Sequence, residues 1–257
     1  MNNDPSYDLV IVAHEKDFPH IKFIVEQSEY NLKFDSIHLI LSEREPFNDL
    51  DILKGITKKP IHLHNETDVL KIDRSRLEYR PNWTYQIFLK LFQNVTKNDN
   101  FLVIEADSVI LKPLNFFEDG KTIFYLGRDY KHEPYFTFNK NVLGLNERFN
   151  HSFVCEFMMY NKKIIKDMLL KCNCNTPEDF LELVYKNISE HCVPADYEIY
   201  GNFVYVHHND KFLTKNVTYE LNGRDGRSEK FTDDDIKTLI ERNKDLESLS
   251  FHVWHLN

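Results

Sequence analysis

Glycine is scarce in this chain, with only 7 glycines among 257 residues. The turn after the first apolar segment contains no Gly-x-Gly-x-x-Gly motif, which disfavours a dinucleotide-binding domain of the usual kind. The complete Gly-x-x-x-x-Gly-Lys-Ser/Thr phosphate-loop motif is also missing, because Gly120-Lys121-Thr122 has Asn115 where the motif has its first glycine, and this excludes the common ATPases and GTPases. Because there is no Gly-x-Ser-x-Gly elbow, a serine hydrolase is disfavoured as well.

Long apolar runs and basic runs are absent too. No segment approaches the roughly 18 apolar residues that a membrane helix needs, and residues 1–5 lack the pattern of a signal peptide. The net charge is −9, and no basic run would follow a nucleic-acid backbone. We therefore expect no integral membrane segment and no nucleic-acid partner.

The four cysteines do not form a recognisable framework. Cys172 and Cys174 are too close in sequence for a comfortable disulfide, and Cys155 and Cys192 lack the spacing of a metal site. Hydrophobic residues make up 42% of the chain, with 20 Phe and 13 Tyr, which is typical of a soluble globular protein with a full core. We expect a reduced, cytoplasmic compartment.

Strands and helices alternate in the first half of the sequence. An apolar strand is predicted at Tyr7–Ala13, a helix from Phe18 and a second strand at 36–42, which together make a βαβ unit and predict a parallel sheet. A further short strand is expected near 60–63. Pro81 then opens a helix that covers about 83–95.

The second half also mixes strands with helices. Strands are predicted at 122–126, 152–160 and 249–255, and helices at 162–170, from Thr176 and from Thr232. Thr176 precedes a proline and two acids, and Thr232 with Asp235 resembles a capping box. No repeat or linker divides the chain. We therefore predict a single α/β domain over residues 1–257, with a mostly parallel central sheet flanked by helices.

The most informative segment is the apolar run that starts at Phe101 and meets Glu105 and Asp107. In an open parallel sheet, ligands bind beyond the carboxyl ends of the strands. Two acids at that place favour a phosphate-bearing ligand only if a divalent cation lies between them, and Mg²⁺ or Mn²⁺ is the usual choice. A helix cap or a solvated turn is the alternative role for such a pair.

Two motifs carry a resemblance to a known family: Trp83-x-x-Gln86-x-x-x-Lys90 on the helix, and Glu105-x-Asp107 followed by Leu111-Lys112-Pro113. Over residues 7–130 the chain resembles the GT-A fold of nucleotide-sugar-dependent glycosyltransferases, and in particular its polysaccharide-type members. The resemblance implies a nucleotide-sugar-binding half at 1–130 and an acceptor-side half with a C-terminal tail at 131–257. The chain departs from the family at Glu105, where the family has aspartate.

The resemblance also implies Mn²⁺ or Mg²⁺ as the metal and a UDP- or GDP-sugar as the donor. Asp107 is expected to bind the metal directly, while Glu105 would contact the metal, its water or the ribose. A histidine near the end of the catalytic region often completes the metal shell in this family. His255 is the first choice here, with His252 and the pair at 207–208 as alternatives.

Further donor contacts are expected at two places. Where the family holds the base and ribose, this chain has the backbone of Ala13 and the side chains of His14 and Asp17. Gln86 and Lys90 share one face of their helix, so we expect Lys90 near the diphosphate or Gln86 near the acids. A solvated helix face is the alternative for this second pair.

Catalysis requires a base only if the reaction inverts the anomeric centre. Asp196, near a predicted helix start, is expected to be that base, and a helix cap is its alternative role. Glu156 is predicted within an apolar strand, where an unpaired charge is costly, so we expect it to contact the donor sugar or the acceptor.

The sequence thus predicts a metal-dependent glycosyltransferase that moves a sugar from a nucleotide-diphosphate sugar to a glycan or another hydroxyl acceptor. The alternative is a catalytically silent GT-A-like domain that binds a glycan or a partner protein. Nucleotidyl transfer is disfavoured because its usual glycine-rich first loop is missing.

Overall fold

The computed structural model describes residues 4–42, 50–127, 131–221 and 231–251. In chain order the strands are β1 (Tyr7–Ala13), β2 (Ile37–Leu41), β3 (Ile61–Asn65), β4 (Asn100–Glu105), β5 (Ser108–Ile110), β6 (Phe117–Glu118), β7 (Lys121–Leu126), β8 (Phe157–Asn161), β9 (Phe212–Asn216), β10 (Tyr219–Leu221) and β11 (Ser248–Ser250). The helices are α1 (Phe18–Asn31), α2 (Leu50–Ile56), α3 (Glu66–Val69), α4 (Pro81–Phe92), α5 (Glu133–Leu143), α6 (Lys162–Lys171), α7 (Pro177–Asn187), α8 (Asp196–His207) and α9 (Asp233–Arg242).

A five-stranded sheet in the order β3-β2-β1-β4-β8 forms the centre of the fold. The first four strands in sequence run parallel to one another, and β8 pairs antiparallel with β4. Helices flank this mostly parallel sheet, which confirms the predicted α/β class. β8 comes from the second half of the chain, so both halves contribute to one sheet.

Every residue of β1 is buried because the sheet is covered on both faces. Leu9 and Ile11 pack into one core together with Ile24 of α1. Val10, the residue between them, packs into a second core together with Leu91 of α4. Side chains alternate along a strand, so a strand between two cores is apolar at every position, as the sequence of β1 is.

The apolar run from Phe101 to Ile110 forms two strands rather than one. β4 ends at Glu105, a turn follows at 106–107, and β5 joins a second sheet in the order β10-β11-β5. A third sheet has the order β6-β7-β9. The turn places the acidic motif at the end of β4, where the chain leaves the central sheet.

The strand predicted at 152–160 is shorter than expected, because β8 begins only at Phe157. Glu198 of α8 explains the difference. Its Oε1 accepts hydrogen bonds from Ser152 Oγ at 2.5 Å and from the Phe153 amide at 3.0 Å. These bonds hold residues 152–153 against α8, and Glu156 therefore lies just before β8 rather than within an apolar strand.

Two predicted helix starts are confirmed. Thr176 and Thr232 each cap a helix in a complete capping box, with Asp179 and Asp235 as the reciprocal acids. The strand predicted at 249–255 is present in part as β11, which ends at Ser250, and residues 252–255 lie outside the described residues. None of the helices in the described ranges is both long enough and apolar enough to span a bilayer.

Candidate active site

The carboxyl ends of β1 and β4 define the candidate site. In the sheet, β2 and β3 lie on one side of β1, and β4 lies on the other side. The strand order therefore reverses between β1 and β4. Ligands of open α/β sheets bind at such a reversal. The register sets Val12 opposite Glu105, so residues 13–17 and 105–107 leave the sheet side by side.

Asp17 lies in this crevice, at the end of a short 3₁₀ turn that leads into α1. Burial raises the pKa of Asp17 to about 7. Lys16, whose ammonium lies 4.0 Å from the Asp17 carboxylate, opposes that rise, whereas the negative charges of Asp107 and Glu105 add to it. Three carboxylates from two neighbouring strand ends therefore act on one another across the crevice.

Lys90 of α4 is buried between two carboxylates. Its Nζ donates to Glu105 Oε1 at 2.6 Å and lies 3.1 Å from Asp196 Oδ2. The Tyr197 hydroxyl donates to the same oxygen of Glu105 at 2.5 Å. Burial alone would lower the pKa of Lys90, but the charges of Asp196 and Glu105 outweigh burial and raise it. Lys90 is thus a cation whose partners are the two acids, and its approach to a diphosphate stays a prediction.

Asp196 is the first residue of α8, which confirms the predicted position near a helix start. The alternative role as a helix cap is wrong, because Ala195 is the N-cap. The residue is only 4% exposed, and its Oδ2 also accepts a hydrogen bond from Tyr160 at 3.3 Å. Burial raises the pKa of Asp196, with Lys90 opposing the rise and Glu105 adding to it. The role of Asp196 as a general base stays a prediction.

Asp107 and Glu156 meet at Ser108, a residue that the sequence did not single out. Ser108 Oγ lies 3.5 Å from Asp107 Oδ1 and 3.4 Å from Glu156 Oε2, and it forms a 2.6 Å hydrogen bond with Ser250 Oγ. The Glu105 amide donates to the Glu156 carbonyl at 2.9 Å. The structure thus brings Glu156 to the acidic motif, and both Asp107 and Glu156 are half-buried.

Two histidines between the end of β1 and the first turn of α1 carry buried nitrogens without a hydrogen-bond partner among the described residues. These atoms are Nδ1 of His14, which was expected in the site, and Nδ1 of His20, which was missed. Burial lowers the pKa of His20, while the nearby charge of Asp107 opposes that change. His20 follows Asp17, the N-cap of α1, by three residues, and that spacing is the sequence signal for it. A buried polar atom without a partner beside a crevice is a feature that a ligand can satisfy.

The remaining candidates lie as follows. Ala13 is the last residue of β1, and Gln86 is half-buried one helical turn before Lys90. His255 and His252 lie outside the described residues. The alternative pair at 207–208 lies at the opposite end of α8 from Asp196, about 17 Å along the helix axis.

A complete metal cage is not preformed in the part of the chain that the structure describes. No group of three or more His, Cys, Asp or Glu side chains there has the arrangement to hold a metal ion by itself. A cation held by one or two carboxylates here would therefore need further ligands from the substrate, from water or from residues outside the described ranges.

The central sheet and its helices define a Rossmann-like α/β fold of the kind found in glycosyltransferases. The chain is similar to a solved apo structure of WbbM, described as a bifunctional glycosyltransferase, with a TM-score of 0.55 and 12% sequence identity. The similarity covers 98% of this chain and 46% of that chain, so this chain spans less than half of its length. The chain belongs to a family of unknown function, DUF6492, whose model matches residues 11–231. No curated protein matches its sequence.

Proposed function

We propose that the chain is a metal-dependent glycosyltransferase of the GT-A type, which transfers a sugar from a nucleotide-diphosphate sugar to a hydroxyl group of a glycan or another acceptor. The observation that carries this proposal is the meeting of Asp17, Glu105 and Asp107 at the strand reversal between β1 and β4. Open α/β sheets generally bind ligands at such a reversal, and three carboxylates beside a phosphate-bearing ligand would favour a cation between them, which supports the proposal.

The residues present suit a divalent cation that arrives with its substrate. Mg²⁺ is usually held by one or two carboxylates together with phosphate oxygens rather than by an all-protein cage, and Mn²⁺ also suits carboxylate and phosphate oxygens. We assign the metal to Asp107, because one Glu105 oxygen already accepts two hydrogen bonds. When bound, the metal neutralises charge on the departing diphosphate. Glu105, through its other oxygen, and His255 are proposed as additional ligands.

Further residues are assigned to the donor side of the site. Ala13, His14 and Asp17, at the end of β1, are assigned to the nucleotide. Gln86 lies one helical turn from Lys90, and we propose that its side chain contacts the acids Glu105 and Asp107.

Two carboxylates remain as candidates for the base of an inverting reaction. Glu156 is half-buried, whereas Asp196 is buried and paired with Lys90. Glu156 is therefore the better placed to take a proton from an acceptor hydroxyl, and Asp196 is the better placed to hold Lys90. The anomeric configuration of the product, determined by NMR, tests the need for a base. Inversion requires a base, and retention removes both residues from that role.

A screen of UDP- and GDP-sugars, with and without Mn²⁺, tests the proposed function. We expect at least one donor to raise the melting temperature and to release nucleotide, both only when Mn²⁺ is present. Binding without release would support the catalytically silent alternative. If no donor shifts the melting temperature or releases nucleotide, the proposal is wrong.

A further inference from the structure

Three aromatic side chains and one arginine form a surface beside the candidate active site, which we call the aromatic wall. It consists of Arg80, Trp83, His132 and Tyr135. The ring centroids of Trp83 and Tyr135 are 6.3 Å apart with an interplanar angle of 23°, and His132 contacts Tyr135 edge-on at 4.6 Å. The guanidinium carbon of Arg80 lies 4.5 Å from the centre of the Trp83 ring.

The aromatic wall is connected to the Lys90–Asp196 pair from two directions. Trp83 precedes Lys90 by seven residues on α4, so both lie on one stripe of the helix, about 10 Å apart along its axis. Tyr135 follows Pro134, whose carbonyl accepts a hydrogen bond of 3.1 Å from the Val193 amide, just before α8 begins. The starts of α4 and α5 therefore both lie near the start of α8.

The aromatic wall lies on the opposite side of the sheet from the proposed nucleotide contacts. α4 packs into the core that contains Val10 and Val103, whereas α1, which follows Asp17, packs into the core that contains Leu9 and Ile11. A ligand at the aromatic wall would approach the end of β4 from the α4 side. A nucleotide at His14 and Asp17 would approach it from the α1 side.

Arg80 is unusual among the arginines of this region. Arg74, Arg76 and Arg148 each pair with a glutamate, whereas no carboxylate in the described ranges pairs with Arg80. Arg80 is exposed, and its backbone is left-handed, with φ 45° and ψ 57°, directly before Pro81. Non-glycine residues rarely adopt this conformation, and a following proline restricts them further. Such outliers concentrate at functional sites.

We infer that the aromatic wall binds a pyranose ring of the acceptor glycan, an inference that rests on the proposed function. One face of a pyranose presents C–H groups that pack on an aromatic ring, while its hydroxyl or carboxylate oxygens accept hydrogen bonds. Arg80 supplies five N–H donors, and the half-buried rings supply the apolar face. Ligand sites combine aromatic walls with a few polar groups in this way.

Tryptophan fluorescence tests the inference directly. The chain has 2 tryptophans, so a Trp254→Phe variant leaves Trp83 as the sole reporter. We expect cellohexaose, chitohexaose or maltohexaose to give a saturable change in its emission. Tyr135→Ala in that background should weaken the binding about tenfold, which corresponds to about 1.4 kcal/mol. Tyr30→Ala is the matched control, because Tyr30 is 74% exposed on α1 and should leave the titration unchanged.

Three results would overturn the inference: no saturable response to any of the three oligosaccharides, an equal response in the Tyr135→Ala variant, or a response of Trp83 to UDP alone. The last would assign the aromatic wall to the donor.

Nucleotide release, measured in parallel on the wild type, separates this inference from the proposed function. Oligosaccharide binding at Trp83 without nucleotide release from any donor supports the wall and contradicts glycosyl transfer. Nucleotide release without a Trp83 response contradicts the wall alone.

Discussion

Lys90 donates a 2.6 Å hydrogen bond to Glu105, the first acid of the motif at the end of β4. Tyr197 donates to the same oxygen, so the two acids of the motif are not equivalent. Glu105 is tied to the buried Lys90–Asp196 pair, whereas Asp107 borders Ser108 near Glu156. This asymmetry is why we assign the metal to Asp107 first.

Lys90→Met should be strongly destabilising, because it leaves Glu105 and Asp196 without their shared cation. Removing one partner of a buried ion pair typically costs about 3–5 kcal/mol in the free energy of unfolding. Asp196→Asn in the Lys90→Met background should recover part of that loss, since it removes one of the uncompensated charges. Urea unfolding of both single variants and the double variant measures the coupling.

Lys163→Met is the matched control for Lys90→Met. Lys163 pairs with Asp99 at 2.6 Å, but both side chains are exposed, so the loss should be much smaller than that of Lys90→Met. If the Lys90 and Asp196 substitutions were simply additive, the two residues would not act as a pair.

Gly201→Ala should destabilise α8, because an added Cβ would lie 2.3 Å from the ring of Phe153. Overpacking of this kind costs about 1–3 kcal/mol in unfolding free energy. Gly55→Ala in α2 is the control: its Cβ would meet nothing within 4 Å, and alanine favours a helix interior by about 1 kcal/mol. In a Phe153→Ala background, which removes the three ring atoms that the new Cβ would meet, Gly201→Ala should cost less than it does in the wild type. Equal effects of the two alanine substitutions would contradict the packing of α8 described above.

His38 should make the protein less stable in mild acid. Its ring lies in a buried chain of hydrogen bonds, with Ser36 at 3.0 Å and His64 at 3.0 Å, and Ser36 donates to Asp8 at 2.6 Å. Burial lowers the pKa of His38 from 6.5 to about 4, although Asp8 opposes the change. The unfolded chain therefore takes up a proton before the folded one does. As the pH falls from 6.5 to 4, the free energy of unfolding should drop by up to about 3 kcal/mol.

Chemical denaturation across this pH range measures the effect of His38. His38→Gln should flatten the decline below pH 6.5, while His191→Gln should not, because the His191 side chain is 85% exposed. An unchanged pH slope in the His38→Gln variant would assign the acid sensitivity to other groups.

Local sequence signals predicted the parts of the fold that depend on local interactions. The helix starts at Thr176 and Thr232 could be predicted because a capping box is formed by residues only three apart in sequence. The strand β1 could be predicted from its continuous apolar run, because a strand between two cores is buried at every position. α5 was missed, although Pro134 near its start and Gly144 at its C-cap, with φ 70°, are the usual boundary signals.

Contacts between distant residues were harder to predict. No local pattern shows that Lys90 would pair with Asp196, or that Glu198 would bind residues 152 and 153 and shorten β8. The acidic motif was found because it follows a buried strand directly. Its neighbours Ser108 and Glu156 come together only once β5 and β8 have taken their places in two different sheets.

The binding of UDP and GDP with and without Mn²⁺, measured by calorimetry on the wild type, Asp107→Asn and Asp99→Asn, tests the central claim most directly. Asp99 is an exposed acid at the opposite end of β4, so it is a control for charge alone. We predict that Mn²⁺ tightens binding of one nucleotide by about tenfold or more in the wild type and in Asp99→Asn. In Asp107→Asn, with an unchanged melting temperature, Mn²⁺ should have no effect. A full Mn²⁺ effect in folded Asp107→Asn, or no Mn²⁺ effect in the wild type, would contradict the account.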